Sequence, residues 1–203
     1  MELGFCRVGY LMTNCYMLHD DKSCLIVDPG AEPQVILEMI GDHRLAGIIV
    51  THCHMDHIGA LPDIVEATGA PIYAFEGEAE AIMHPGPEEE VLATNYQPVE
   101  KIDHLLADGE EFELIGTRFR VIHTPGHTPG SACFYNESNS LLFAGDTLFF
   151  QTHGRTDFPG GSQADMNKSL KKLIELPDET FVLPGHDRPT SIGDEKRWIA
   201  RIR

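Results

Sequence analysis

The chain reads as short apolar runs punctuated by polar turns, with helical periodicity between some of them. "CYMLHD" and "SCLIVDPG" predict two strands flanking a polar turn, the second stopped by Asp28-Pro29-Gly30. In "EPQVILEMIGDH" the apolar positions Val35, Ile36, Met39 and Ile40 recur at helical spacing. Pro33 stands near the start of that helix, where a missing N–H is harmless. "LAGIIVT" predicts a buried strand that runs straight into a histidine-rich loop. "HIGALPDIVEATG" then suits a helix ending at Gly69 with Pro62 in its first turn, and "APIYAF" is the next strand.

The second half repeats the scheme after an exposed excursion over residues 84 to 98, whose Glu88-Glu89-Glu90 run reads as solvated. "EEFELIG" and "RFRVIHTPG" alternate as a strand pair, and "SACFYN" and "SLLFAGD" flank the turn "NESNS". "SQADMNKSLKKLIEL" predicts an amphipathic helix with Ser162 as N-cap and Met166, Leu170, Leu173 and Ile174 on its apolar face. "TFVLPGH" is a last strand, followed by one short helix. Strands first and then helices between strands, twice over, predict an α/β (α+β) chain of two sheets faced by helices.

Composition narrows the partners. With 203 residues the chain can bury a full core as one domain over 1–203, and 42% hydrophobic with 23% charged residues is ordinary for a globular protein. Fifteen Lys and Arg against thirty-two Asp and Glu, a formal net charge of −17, argue against nucleic acid as a partner. No run approaches a membrane span, and the N-terminus lacks a signal-peptide pattern. Five cysteines without a CxxC pair suit a reducing compartment, so a cytoplasmic location is expected. The composition leaves the oligomeric state open.

The chemistry gathers where strands end. Four apolar strands run into His or Asp: "IIVTHCHMDH", "VIHTPGH", "LLFAGD" and "FVLPGH". Strand ends along one sheet edge converge on one site. His52, His54, Asp56, His57, His127, Asp146 and His186 make seven candidate ligands, all nitrogen or oxygen donors, which suits zinc, iron or manganese better than a thiolate site. Seven exceed the four that one structural zinc uses, so two metals sharing a carboxylate account for the number. His52 and His54 can point to one side of an extended segment, while Asp56 and His57 can face a second position. By the same alternation Cys53 points away, as a small packing residue. His84 and His153 read as loop histidines, and His123 as structural.

"THCHMDH", "HTPGHTPGS", "FAGDTLF" and "LPGH", together with "TNCYML" and "LIVDPGAE", resemble the metallo-β-lactamase-fold hydrolases over essentially the whole chain. The resemblance implies a four-layer αββα sandwich with the metals at one edge of the facing sheets. It implies that His52, His54 and His127 bind a first metal and that Asp56, His57 and His186 bind a second. Asp146 would bridge the two, and Asp28 would orient ligands from beneath.

"GRTDFPGGS" and "LPGHDRPTSIGDEKRW" further resemble the short glyoxalase II-like branch, and the separate C-terminal helical domain of full-length glyoxalase II is not expected here. That implies two divalent ions, zinc first, and a small-molecule thioester substrate such as S-lactoylglutathione. A metal-bridging hydroxide would attack, with Asp56 and Asp146 as catalytic carboxylates and Arg155 contacting a glutathione moiety. The chain also resembles persulfide dioxygenase, a one-iron enzyme on the same fold whose ligands would match His52, His127 and Asp146. A binding module that retains the fold without catalysis is the alternative from another class.

Overall fold

The apolar runs pair into two six-stranded sheets in a computed structural model that describes residues 1–86 and 97–202. The first sheet has the order β1 (Glu2–Val8), β2 (Thr13–His19), β3 (Ser23–Val27), β4 (Arg44–Val50), β5 (Ile72–Phe75) and β6 (His104–Leu106). Its first three strands are antiparallel neighbours; β3 to β6 run parallel. The second sheet has the order β12 (Thr190–Ser191), β11 (Phe181–Pro184), β10 (Leu141–Gly145), β9 (Ala132–Asn136), β8 (Thr117–His123) and β7 (Glu111–Leu114). Only its β10–β11 pair is parallel.

Parallel neighbours need crossovers, and helices supply them. On the first sheet these are α1 (Pro33–Ile40), α2 (Met55–Ile58), α3 (Leu61–Thr68) and α4 (Ala79–Met83); on the second α5 (Gln163–Leu173) joins β10 to β11, and α6 (Ile192–Ile199) follows the last strand. The side chain of Ser162 accepts from the Asp165 N–H at the start of α5, a cap that contributes about 1 kcal/mol. Met166, Leu170 and Leu173 are buried as the periodicity predicts, and Ile174 closes the helix half-buried. The expected helix over 57–69 is broken in two at Gly59. A Cβ there would overlap the carbonyl oxygen of Gly30, so only glycine lets the two loops pass.

Three apolar layers hold these elements. Ile26, Ile48 and Ile72 of the first sheet pack with Ile36, Leu61 and Ile64 of its helices. Val27, Ile49, Phe119, Phe134 and Phe143 fill the space between the sheets, and Leu142, Val182, Met166 and Leu170 seal the second sheet beneath α5. Each fully buried side chain of this size contributes about 1.5–3 kcal/mol. The result is the αββα sandwich. The excursion read over 84–98 lies largely outside the described residues. Among the described helices none is long and apolar enough to cross a membrane.

Candidate metal centre

Each candidate ligand follows a strand that ends on the same edge of the sandwich. β4 delivers the 51–57 segment, β8 leads to His127, β10 ends at Gly145 before Asp146, and β11 ends at Pro184 before His186. Backbone bonds lock these ends together: Ala132 N donates to Thr51 O at 3.0 Å, Gly185 N to Gly145 O at 2.8 Å and Asn14 N to Gly185 O at 2.7 Å.

All seven residues meet there, sorted into two clusters. The donor atoms of His52, His54 and His127 lie within 4.8 Å of one another, and so do those of Asp56, His57 and His186. His54 Nδ1 is 2.8 Å from His127 Nε2, and Asp56 Oδ2 is 3.1 Å from His186 Nε2 and 3.4 Å from His57 Nε2. Asp146 stands between the clusters. Its Oδ1 is 3.4 Å from His57 Nε2, and its Oδ2 is 3.5 Å from His127 Nε2 and 3.6 Å from His186 Nε2.

The far nitrogens of four histidines show what the near ones offer. Nδ1 of His57 meets Asp28 Oδ2 at 2.9 Å, Nδ1 of His127 meets the Arg155 carbonyl at 2.7 Å, and Nδ1 of His186 meets the Leu11 carbonyl at 3.2 Å. Carboxylate and carbonyl oxygens only accept, so each Nδ1 carries the proton. Thr51 Oγ1 donates to Asp28 Oδ2 at 2.7 Å, leaving its lone pairs to accept from His52 Nδ1 at 3.0 Å. All four rings therefore present an unprotonated Nε2 to the centre when neutral. Buried Nε2 of His52, Nε2 of His57 and Oδ1 of Asp146 have no hydrogen-bond partner. Orphaned buried acceptors that converge are a costly arrangement unless a cation sits among them. The residues present fit two divalent ions.

Electrostatics divides the site in the same way. Burial, then the neighbouring histidines, pushes His52 well below its usual range and His54 down to about 4, so both are neutral donors. At His57 burial also disfavours the proton, but Asp56, Asp146 and Asp28 outweigh it and hold the ring well above its usual pKa. His186 rises because its bond to Asp56 and the nearby carboxylates overcome burial. Asp56 and Asp146 are both held low, the attraction of His57 and His186 exceeding the effect of burial. Without a metal the three carboxylates would keep a proton on His57; a divalent cation replaces that charge.

Asp28 lies beneath the candidate ligands. Its Oδ1 accepts from Thr51 N at 2.8 Å, and its Oδ2 accepts from both Thr51 Oγ1 and His57 Nδ1. It holds this position with a left-handed backbone, φ +55°, a strain that the surrounding bonds maintain. The site also needs glycine at 185, where a Cβ would collide with Asp146 Oδ1 and His57 Cε1.

Arg155 lies beside the centre, with its guanidinium engaged. Its Nε and Nη2 bind Asp157 at 2.7 and 2.8 Å, and Cζ lies 3.8 Å over the Phe158 ring, which itself sits 5.4 Å from His54. Cys53 packs against the helix-side core of the first sheet. His123 stacks on Phe75 at 4.4 Å and meets the Pro129 carbonyl at 2.9 Å. His153 bonds the Gly154 carbonyl, and His84 is exposed beside Glu80.

Three residues at the site were not read from the sequence. Thr13 Oγ1 donates to Asp56 Oδ2 at 2.9 Å, and Thr51 links Asp28 to His52. Buried Glu78 accepts from Cys53 N at 3.0 Å and Thr128 Oγ1 at 2.7 Å, tying the first histidine loop to the loop of His127.

The fold and this centre define a metallo-hydrolase. Residues 8–186 match the family model of the metallo-beta-lactamase superfamily, and the chain belongs to that family. It is similar to the hydroxyacylglutathione hydrolase GloC of Haemophilus influenzae, 33% identical across 97% of this chain and 96% of that one. BLEG-1, a B3 metallo-beta-lactamase, superposes with a TM-score of 0.90 at 32% identity, covering 97% of each chain. TTHA1623, solved in a di-iron-bound form, superposes with a TM-score of 0.80 at 34% identity, covering 96% of this chain and 97% of that one.

Proposed function

We propose that the chain is a dinuclear metal-dependent thioesterase acting on a small S-acyl thiol such as S-lactoylglutathione, in the cytoplasm. The observation that carries this reading is the convergence of histidine ring nitrogens on either side of Asp146. His52, His54 and His127 would hold one ion, Asp56, His57 and His186 the other, and Asp146 would reach both. Zinc suits the donor set; the likeness to a di-iron protein keeps iron as an outcome of the test. When bound, the ions lower the pKa of water from about 15.7 toward 7 and polarise the acyl carbonyl.

The chain's own groups do the rest. Asp28, Thr51 and the Arg155 and Leu11 carbonyls fix the ring tautomers, so the donors are aligned before substrate arrives. Asp56, the most open of the three carboxylates near His57, would take the proton of the attacking water and pass it to solvent. A thiol with a pKa of about 8.5 leaves as thiolate, so a strong general acid is unnecessary. Arg155 would receive an anionic part of the substrate in exchange for Asp157. Similarity to GloC supports a hydroxyacylglutathione substrate.

Metal content measured alongside turnover of S-lactoylglutathione, a β-lactam and glutathione persulfide tests the reading. Two metals per chain with thioester hydrolysis fastest is the expected result. One iron per chain with oxygen uptake on the persulfide would overturn it in favour of a dioxygenase. Fastest turnover of the β-lactam would overturn the substrate class.

A further inference from the structure

Two of the five cysteines face each other across the hairpin that braces the metal centre. In the β1–β2 register Cys6 is directly opposite Cys15, so both side chains leave the same face of the sheet. Opposed antiparallel residues stand about 4.5 to 5.5 Å apart by Cα, inside the roughly 4.4 to 6.8 Å that a disulfide spans. Cys15 is fully buried in the helix-side core, and half-buried Cys6 packs against the same core from the sheet's outer edge. In register, Cys24 opposes His19 and Cys133 opposes Ile122 in the other sheet, so neither faces a thiol across its pair.

The pair is asymmetric. A hydrogen bond from Cys15 holds the Cys6 thiol below its usual range, against burial and the Glu32 charge. The same bond, then burial, pushes Cys15 well above it. Cys6 is thus the better nucleophile and the more open of the two, and Cys15 is a shielded thiol within reach of it.

We propose that Cys6 and Cys15 form a peroxide-oxidisable dithiol site, with Cys6 attacked first and Cys15 resolving it. The Cys6 thiolate attacks one oxygen of a hydroperoxide, the O–O bond breaks, and the sulfur leaves as a sulfenic acid while the other oxygen departs as water or alcohol. The Cys15 sulfur then attacks Cys6, the S–O bond breaks, and water leaves with the Cys15 proton. Two thiols are oxidised to a disulfide as the peroxide is reduced. The crosslink falls one rung from Arg7 and Asn14, and Asn14 holds the Pro184 and Asp187 carbonyls on either side of His186. Oxidation therefore fastens the hairpin that carries the second metal's surroundings.

The test treats the zinc-loaded protein with hydrogen peroxide, then alkylates it under unfolding conditions and digests it for mass spectrometry. Wild type is expected to lose alkylation at Cys6 and Cys15 together and to yield a linked peptide lighter by two hydrogens. In Cys6→Ser the Cys15 thiol should stay alkylatable, and in Cys15→Ala a sulfenic acid should accumulate at Cys6 and react with dimedone. Two results would overturn the proposal: Cys6 overoxidised while wild-type Cys15 remains a thiol, or both thiols intact at a peroxide dose that oxidises a free cysteine peptide.

Discussion

Asp28→Asn is the sharpest perturbation of the centre, because it keeps the shape and changes only what one atom can accept. In the wild type both carboxylate oxygens are acceptors and all three partners are donors: Thr51 N, Thr51 Oγ1 and His57 Nδ1. An amide cannot serve them. With its oxygen toward Thr51 N, its NH2 faces two donors; flipped, it faces the Thr51 N–H. The first orientation turns His57 into the tautomer with Nε2 protonated, which removes the lone pair meant for the second ion. The lost charge-assisted bond is of order 1.5–3 kcal/mol, and supporting changes of this kind typically cost 10- to 100-fold in metal affinity, or about 1.4–2.7 kcal/mol. Chelator competition followed by metal analysis should show the second ion released 10- to 100-fold more readily, with the first less affected. Thr51→Val, which frees His52 instead, should weaken the first ion more. If Asp28→Asn held both ions as tightly as wild type while folded, the tautomer argument would be wrong.

Other substitutions probe the frame. Glu78→Ala removes the acceptor of Cys53 N and one of the two partners of Thr128 Oγ1, which keeps Ser131 Oγ, at about 1–3 kcal/mol in all, and should lower the urea midpoint and metal retention together. Gly185→Ala should cut metal affinity by about tenfold or more in calorimetric titration, since the added methyl displaces Asp146 or His57. Burial pushes the Cys133 thiol up to about 11. The folded state thus holds this proton more tightly than the unfolded one; the contribution is complete below pH 9 and lost as pH climbs through 11. Cys133→Ala should therefore lose about 3 kcal/mol less stability between pH 8 and 12 in urea titrations, and an unchanged alkaline slope would contradict this.

The candidate ligands are legible in the sequence because they punctuate apolar strands, and an apolar strand that stops at His or Asp is visible without any partner. His127, Asp146 and His186 were read this way, each from its own run. The supports were hidden because they act at a distance: Thr13 reaches Asp56, and Glu78 reaches two loops from the start of α4. Nothing local distinguishes a buried Glu that braces loops from a solvated one. β1 escaped for a different reason. It is an edge strand whose Leu3 and Phe5 face outward, so its alternation is inverted relative to a buried face. β6 and β12 are too short to carry a period. The split of the helix at Gly59 depends on the passing Gly30 carbonyl, which no periodicity reports.

The ligand sorting also bears on how the chain matures. Neither proposed ligand set is complete within one half of the sequence: His127 must join His52 and His54, and His186 must join Asp56 and His57. A nascent chain that has made only the first sheet holds most of the histidines but cannot yet close either coordination sphere. On the proposed assignment, tight loading of both ions would wait until the second sheet has docked, so the ions would act as a late checkpoint on assembly. Once bound, they would rivet the two sheets along the edge where the strands end.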